Sequence, residues 1–307
     1  MSVSQDLHLS ELPSRRFPEP KAMVELLKPI TWFPPMWAYL CGVVSAGVWP
    51  GDRWGLVVLG VVLAGPVVCG MSQVINDFCD RHVDSINEPH RPIPSGRVPP
   101  AWAFGYAVAL SALSLWIGSF LGPWGFGATV VAVVAAWAYS APPIRLKRSG
   151  WWGPGLVGLS YESLPWFTGA AVLSVGAPSF PVVIIALLYG VGAHGIMTLN
   201  DFKALEGDRA TGVRSLPVVV GPEVAAKIAC TVMALPQMVV ISLLFIWGRP
   251  VFAAVVLASL LAQFWAMRVM MRDPKAKAPW YNATGVSLYV SGMMVSAFAI
   301  RTLEFAP

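Results

Sequence analysis

Two short acidic stretches carry the chemistry open to this sequence. The first runs Asn76-Asp77-Phe78-Cys79-Asp80 and continues to Asp84, and the second begins Asn200-Asp201-Phe202 and reaches Asp208. In both, an Asn-Asp-Phe triplet is followed by an aspartate eight residues after its Asn. On a helix at about 100° per residue, Asp77, Asp80 and Asp84 fall within roughly 60° of one face, and Asp201 and Asp208 within roughly 20°. Five carboxylates converging on one cavity would repel one another unless a cation sat among them. A hard divalent ion with oxygen ligands meets that need, and Mg2+ shared with phosphate oxygens is the commonest such arrangement. The aspartates are therefore candidate catalytic groups. With the amide oxygens of Asn76 and Asn200 they form a candidate metal set.

Basic residues complete a charge-balanced site. Arg81 and Arg91 follow the first stretch, Arg145 and Lys147 lie between the two, and Lys203, Arg209 and Arg214 belong to the second. Carboxylate, metal, phosphate and guanidinium in layers suit a diphosphate. Single cations here are equally well explained as a charge bias of cytoplasmic loops. The duplicated acidic pattern is not explained that way. Paired half-repeats with acids also describe ion-coupled carriers, but carriers place their coupling carboxylates near the bilayer midplane. These acids sit at predicted helix ends.

The elements that must position them are membrane helices. Of 307 residues, 56% are apolar and only 12% charged, about half the charge of a soluble domain. The apolar runs are continuous, which favours helices over a barrel. The expected fold is all-α, with nine transmembrane helices at roughly 30–50, 55–76, 101–121, 124–142, 154–175, 178–200, 224–246, 250–269 and 281–301. Spans 1–4 and 5–8 form two related four-helix halves, and the ninth is unmatched. Residues 1–28 form a cytoplasmic segment without a removable signal peptide, and residues 29–307 a single transmembrane domain.

Eighteen of the 21 Lys and Arg residues fall on one side of this topology, leaving Arg53, Arg249 and Arg301 opposite. The amino terminus is then cytoplasmic and the carboxyl terminus outside. The net charge of +5 has the same origin and calls for no nucleic acid. Four cysteines without metal-type spacing indicate neither zinc nor disulfides. Most of the 14 tryptophans lie near span ends and fit an interfacial belt, while Trp116, Trp166 and Trp265 are set deeper, where lining a pocket is an option.

The acidic stretches resemble motifs of the UbiA superfamily of intramembrane prenyltransferases. Asn76 through Asp84 is similar to its NDxxDxxxD motif, Tyr139-Ser140-Ala141-Pro142-Pro143-Ile144-Arg145-Leu146-Lys147 to its YSxPPxRLK segment, and Asn200-Asp201 through Glu206-Gly207-Asp208 to its second acidic motif. Many members carry a further aspartate where Ala204 stands. That departure, the stretch from Asp84 to Gly96 and Leu27-Lys-Pro-Ile-Thr-Trp32 are similar to the chlorophyll synthase branch. The resemblance implies Mg2+-dependent transfer from geranylgeranyl or phytyl diphosphate to the propionate of bacteriochlorophyllide, with chlorophyllide, haem or an aromatic ring as alternative acceptors. It also implies an inner, cytoplasmic or intracytoplasmic membrane and, by association, photosynthetic assembly proteins as partners. A non-catalytic pigment or ion carrier is the remaining alternative.

Within that reading His194 and Glu162 are candidate tetrapyrrole contacts. His194 can ligate the ring magnesium or serve as a hydrogen-bonded interhelix residue. Glu162, the one charge in its span, can pair with His194 or accept from a ring substituent.

Overall fold

The computed structural model describes residues 16–174 and 176–303. The first 15 positions of the expected amino-terminal segment, and the last four residues with the expected outward terminus, lie outside the described residues. Among those described, every regular element is helical, and one isolated bridge, between Ser149 and Arg214, pairs extended backbone.

Six helical runs are long and apolar enough to cross a membrane: Gly51–Asn87, Pro100–Ser140, Phe180–Ala210, Pro222–Ile246, Pro250–Met270 and Pro274–Ile300. Three places account for the difference from nine expected spans. Helix Phe33–Ser45 has only 13 residues where 30–50 was expected. The run 152–174 is interrupted by a widened π turn over Leu159–Ser163. Pro100–Ser140 joins two expected spans through the 3-10 turn Ser119–Leu121. That run folds back on itself: Gly122 takes φ 75°, where a side chain would be strained. Phe104 near one end then meets Trp137 near the other at 6.2 Å between rings, and Trp137 Nε1 donates to Ser111 at 3.1 Å.

Prolines explain the two widened turns. Pro66 lies within Leu63–Cys69 and Pro165 two residues beyond Leu159–Ser163. Each lacks an N–H and crowds the carbonyl four residues before it, so the helical ladder opens there.

Several buried polar groups are matched within the bundle. Trp166 stacks on Tyr189 at 5.8 Å and donates to Ser45 at 3.0 Å, Tyr289 donates to the Tyr189 carbonyl at 2.5 Å, and Gln237 and Gln263 exchange two amide bonds at 3.1 and 2.9 Å. Such pairings are required where lipid offers no hydrogen bonds. Trp166 is thus core, while Trp116 and Trp265 are 62% and 66% exposed on the outer surface. None of the three lines the cavity described below.

Arg53 donates to the carbonyls of Val172 and Leu173 at 3.2 and 3.0 Å, and Arg249 to that of Ala299 at 3.2 Å. Both cations cap the orphan carbonyls of helix ends, where the helix dipole favours positive charge.

Candidate active site

The first acidic stretch is the last three turns of helix Gly70–Asn87, so Asp77, Asp80 and Asp84 share a face as the spacing requires. Each meets basic residues from elsewhere in the chain. Lys28 Nζ reaches Asp77 at 2.7 Å. Arg91 binds Asp84 at 2.8 Å, touches Asp77 at 3.5 Å and also pairs with Glu88. Arg145 and Lys147 clasp the two oxygens of Asp80 at 2.8 and 2.5 Å. Burial pulls the Lys147 ammonium below its ordinary pKa, with Asp80 opposing. For Arg91 burial acts the same way, but Asp77, Asp84 and Glu88 together hold it above its usual value.

Lys28 and Arg145 are the two non-glycine residues, among those described, in the left-handed region, at φ 44° and 45°. Such backbone costs on the order of 1–2 kcal/mol per residue and clusters at functional sites. Both positions hold a cation against the first acidic stretch. Arg145 Nε is buried without a hydrogen-bond partner, so one strong donor is left over for a ligand.

The second stretch is built differently from the sequence expectation. Helix Phe180–Asn200 ends before Asp201, a 3-10 turn spans Asp201–Ala204, and helix Leu205–Thr211 carries Asp208. Four residues wound at three per turn add roughly 80° to the count. Asp201 and Asp208 therefore do not share the narrow face that a continuous α-helix would give them.

The two stretches meet nevertheless. Tyr139 lies in the field of Asp80 from the first and of Asp201 and Asp208 from the second, and Gly207 lies against the side chain of Asn87. Between them the loop after Ser140 is tied to the second segment, with Gly150 N donating to the Arg214 carbonyl at 2.8 Å and Arg214 N to that of Arg148 at 3.2 Å.

A cavity of about 730 Å³ begins at this junction. Asn76, Asn200, Asp201 and Lys203 line its acidic end, and its wall follows the first acidic helix back to Ala64, on the order of 15 Å of helix. Both widened turns face it, through Ala64 and Cys69 on one and Tyr161 and Glu162 on the other.

Among the described residues no three His, Cys, Asp or Glu side chains form a ready-made metal cage. The donors nonetheless fit Mg2+ in kind. They are hard oxygens on two sides of one cavity end, and Mg2+ commonly takes one or two carboxylates and completes its shell with phosphate oxygens and water. Asn200 Oδ1 accepts from Asn282 Nδ2 at 2.7 Å, and the buried Oδ1 of Asn282, which lines the cavity, has no partner. Asn282 is thus an oxygen donor that nothing in its local sequence announced.

The remaining predicted positions stand in different relations to this centre. Arg81 is turned onto its own helix, 4.5 Å over the Phe78 ring and 2.7 Å from the Phe78 carbonyl. Lys203, Arg209 and Arg214 are exposed beside the second stretch. His194 is 5% exposed, with Nε2 at 3.0 Å from the Trp151 carbonyl and Nδ1 at 3.4 Å from Thr198 Oγ1. Glu162 is not its partner, which corrects that expectation: the interhelix bond to Trp151 takes the nitrogen instead. The geometry favours the interhelix reading of His194.

An apolar cavity inside a helical bundle, with Asp201, Lys203 and the amides of Asn76 and Asn200 at one end and the ion-paired first acidic stretch continuing from Asn76, defines a membrane protein suited to an anionic headgroup on a hydrophobic tail. The chain belongs to the UbiA prenyltransferase family, whose sequence profile matches residues 32–291, and it is a membrane prenyltransferase. It is 68% identical over 307 residues, the full length of both chains, to the bacteriochlorophyll synthase 33 kDa chain of Cereibacter sphaeroides. It is 35% identical to the chloroplastic chlorophyll synthase of Oryza sativa over 91% of this chain and 76% of that one. Among solved structures, a UbiA homologue from Archaeoglobus fulgidus bound to GPP and Mg2+ superposes with a TM-score of 0.74 at 21% identity, covering 92% of this chain and 99% of that one.

Proposed function

We propose that the chain transfers a geranylgeranyl or phytyl group from its diphosphate to the propionate carboxylate of bacteriochlorophyllide a, releasing esterified bacteriochlorophyll and diphosphate. The observation that carries this reading is the 68% identity to a bacteriochlorophyll synthase across the whole chain. The arrangement of the site supports it.

Asn76, Asp77, Asp80 and Asp84 on one side, and Asn200, Asp201 and Asp208 on the other, would hold Mg2+. Bound there, it would neutralise charge building on the departing diphosphate. Arg91, Arg145 and Lys147 exchange carboxylates for phosphate oxygens when the substrate enters, with Lys203, Arg209 and Arg214 at the rim. Arg145 Nε already lacks a partner. As the carbon–oxygen bond of the allylic diphosphate breaks, the electron pair leaves with diphosphate and the first prenyl carbon becomes cationic. The apolar cavity wall keeps water from that carbon. The propionate attacks it and forms the ester. Because a carboxylic acid is ionised near neutral pH, the site needs no strong base.

The same reading takes residues 29–307 as one domain of nine spans with the amino terminus cytoplasmic. The hairpin turn at Gly122 supports counting Pro100–Ser140 twice, and the structural engagement of Arg53 and Arg249 accounts for cations on the outer side.

The test is to incubate membranes containing the chain with bacteriochlorophyllide a, geranylgeranyl diphosphate and Mg2+, with chlorophyllide a and 4-hydroxybenzoate in parallel. A strongly lipophilic pigment forming from bacteriochlorophyllide alone is the expected result. Conversion of either other acceptor in its place would reassign the enzyme.

A further inference from the structure

The cavity holds one buried carboxyl that the chemistry at its acidic end does not use. Glu162 is 4% exposed, lines the cavity, and its Oε2 is buried without a hydrogen-bond partner. The widened turn Leu159–Ser163 sets it there. The titratable groups in its field are Cys41 and Tyr289, and no basic side chain among the described residues pairs with it.

Its polar neighbours are all satisfied within the protein. The Tyr161 hydroxyl accepts from Gln73 Nε2 at 2.9 Å and from Cys69 at 3.3 Å, and Ser163 donates to the Ala186 carbonyl at 3.0 Å. Beside these satisfied neighbours, Glu162 Oε2 is left to be completed by whatever fills the cavity, as Asn282 Oδ1 is at the acidic end. An ionisable group at membrane depth without a protein partner is retained for a partner that arrives.

Of the two substrates, a prenyl chain has nothing to offer it and would strand the carboxyl against hydrocarbon. The diphosphate belongs with the cations at the other end. The acceptor remains. We propose that Glu162 fixes the acceptor macrocycle in the cavity by donating a hydrogen bond from its carboxyl to a carbonyl oxygen on the ring edge. This rests on bacteriochlorophyllide being the acceptor. The direction of the bond follows from that ligand: its ring nitrogens are taken by magnesium, and its edge presents carbonyl oxygens without N–H groups, so the proton is supplied by Glu162. Glu162 is then a specificity-determining residue, reading the macrocycle while the acidic stretches handle the diphosphate.

Two variants separate the possibilities. Glu162→Gln keeps a donor, and Glu162→Leu has none. Purified protein is mixed with bacteriochlorophyllide a without prenyl diphosphate, and the ring carbonyl stretch is read by resonance Raman. Turnover then yields KM for each substrate. The expected result is a downshifted carbonyl band in the wild type and Glu162→Gln and its loss in Glu162→Leu. The Leu variant should show a KM for bacteriochlorophyllide raised about tenfold and an unchanged KM for geranylgeranyl diphosphate. Removing a buried unpaired polar group should leave the fold intact, which a melting curve checks, and Glu162→Met replaces the Leu variant if that one melts early. A wild-type acceptor KM in the apolar variant, a carbonyl band the same in all three proteins, or a rise confined to the diphosphate overturns the proposal. If the wild type itself neither binds nor esterifies bacteriochlorophyllide, the acceptor assignment falls and this inference with it.

Discussion

Asp77 and Asp208 stand at opposite sides of the site in different local circumstances. Asp77 is 2% exposed and held by Lys28, whereas Asp208 lies in a short helix beside Ser215. Replacing either with Asn preserves size and removes charge. Turnover in Asp77→Asn and in Asp208→Asn should fall by at least about a hundredfold, measured as diphosphate release, while the melting temperature shifts little. Activity near wild type in a folded Asp208→Asn protein would remove the second stretch from the mechanism. The aspartates were legible in the sequence because charge is scarce there and a triplet recurs with the same spacing. Arg91, Arg145 and Lys147, which pair with them, were grouped with them in the sequence, but other contacts of the site were not. Lys28 is 49 residues from Asp77, Asn282 is 82 from Asn200, and Tyr161 is 88 from Gln73. Contacts at such separations are set by helix packing, and no local pattern encodes them.

At the level of the helices, two of them pack closely at the edge of the cavity. A methyl added at Gly158 would overlap the carbonyl oxygen of Gly190, so the runs 152–174 and Phe180–Asn200 touch backbone to backbone just before the widened turn. Small residues permit such approach in membrane bundles. Gly158→Ala should force the helices apart, destabilising the protein by about 1–3 kcal/mol and displacing Glu162 from the cavity wall. A lowered melting temperature together with a raised KM for the acceptor is the expected pair of results. Unchanged stability would mean that the helices slide without cost. Periodicity alone placed both helices correctly but not the turn within the first, since a proline effect four residues upstream changes the local winding without changing the apolar pattern. The 3-10 turn after Asn200, which holds no proline, likewise leaves the apolar pattern unchanged and so escaped, and with it the relative facing of Asp201 and Asp208.

For the whole molecule, the distribution of cations and the positions of the loops make one topological statement. Segments carrying Ser85 and Gly212 belong with the site, and those carrying Val48 and Gly248 with the opposite face. In a variant from which the four native cysteines have been removed, a cysteine at Ser85 or Gly212 should react with an impermeant maleimide only in inside-out vesicles. One at Val48 or Gly248 should react only in right-side-out vesicles. Labelling of Ser85 and Gly212 from opposite faces would separate the acidic stretches and end the shared-site reading.

The fold-back at Gly122 bears on how the protein enters its membrane. Its tip, from Ser119 to Trp124, carries no charged side chain, so nothing ionic has to be carried through the hydrocarbon when the two arms go in. An insertion machinery would therefore meet an uncharged wedge whose two arms can partition into lipid together, with the charged segments left on either flank.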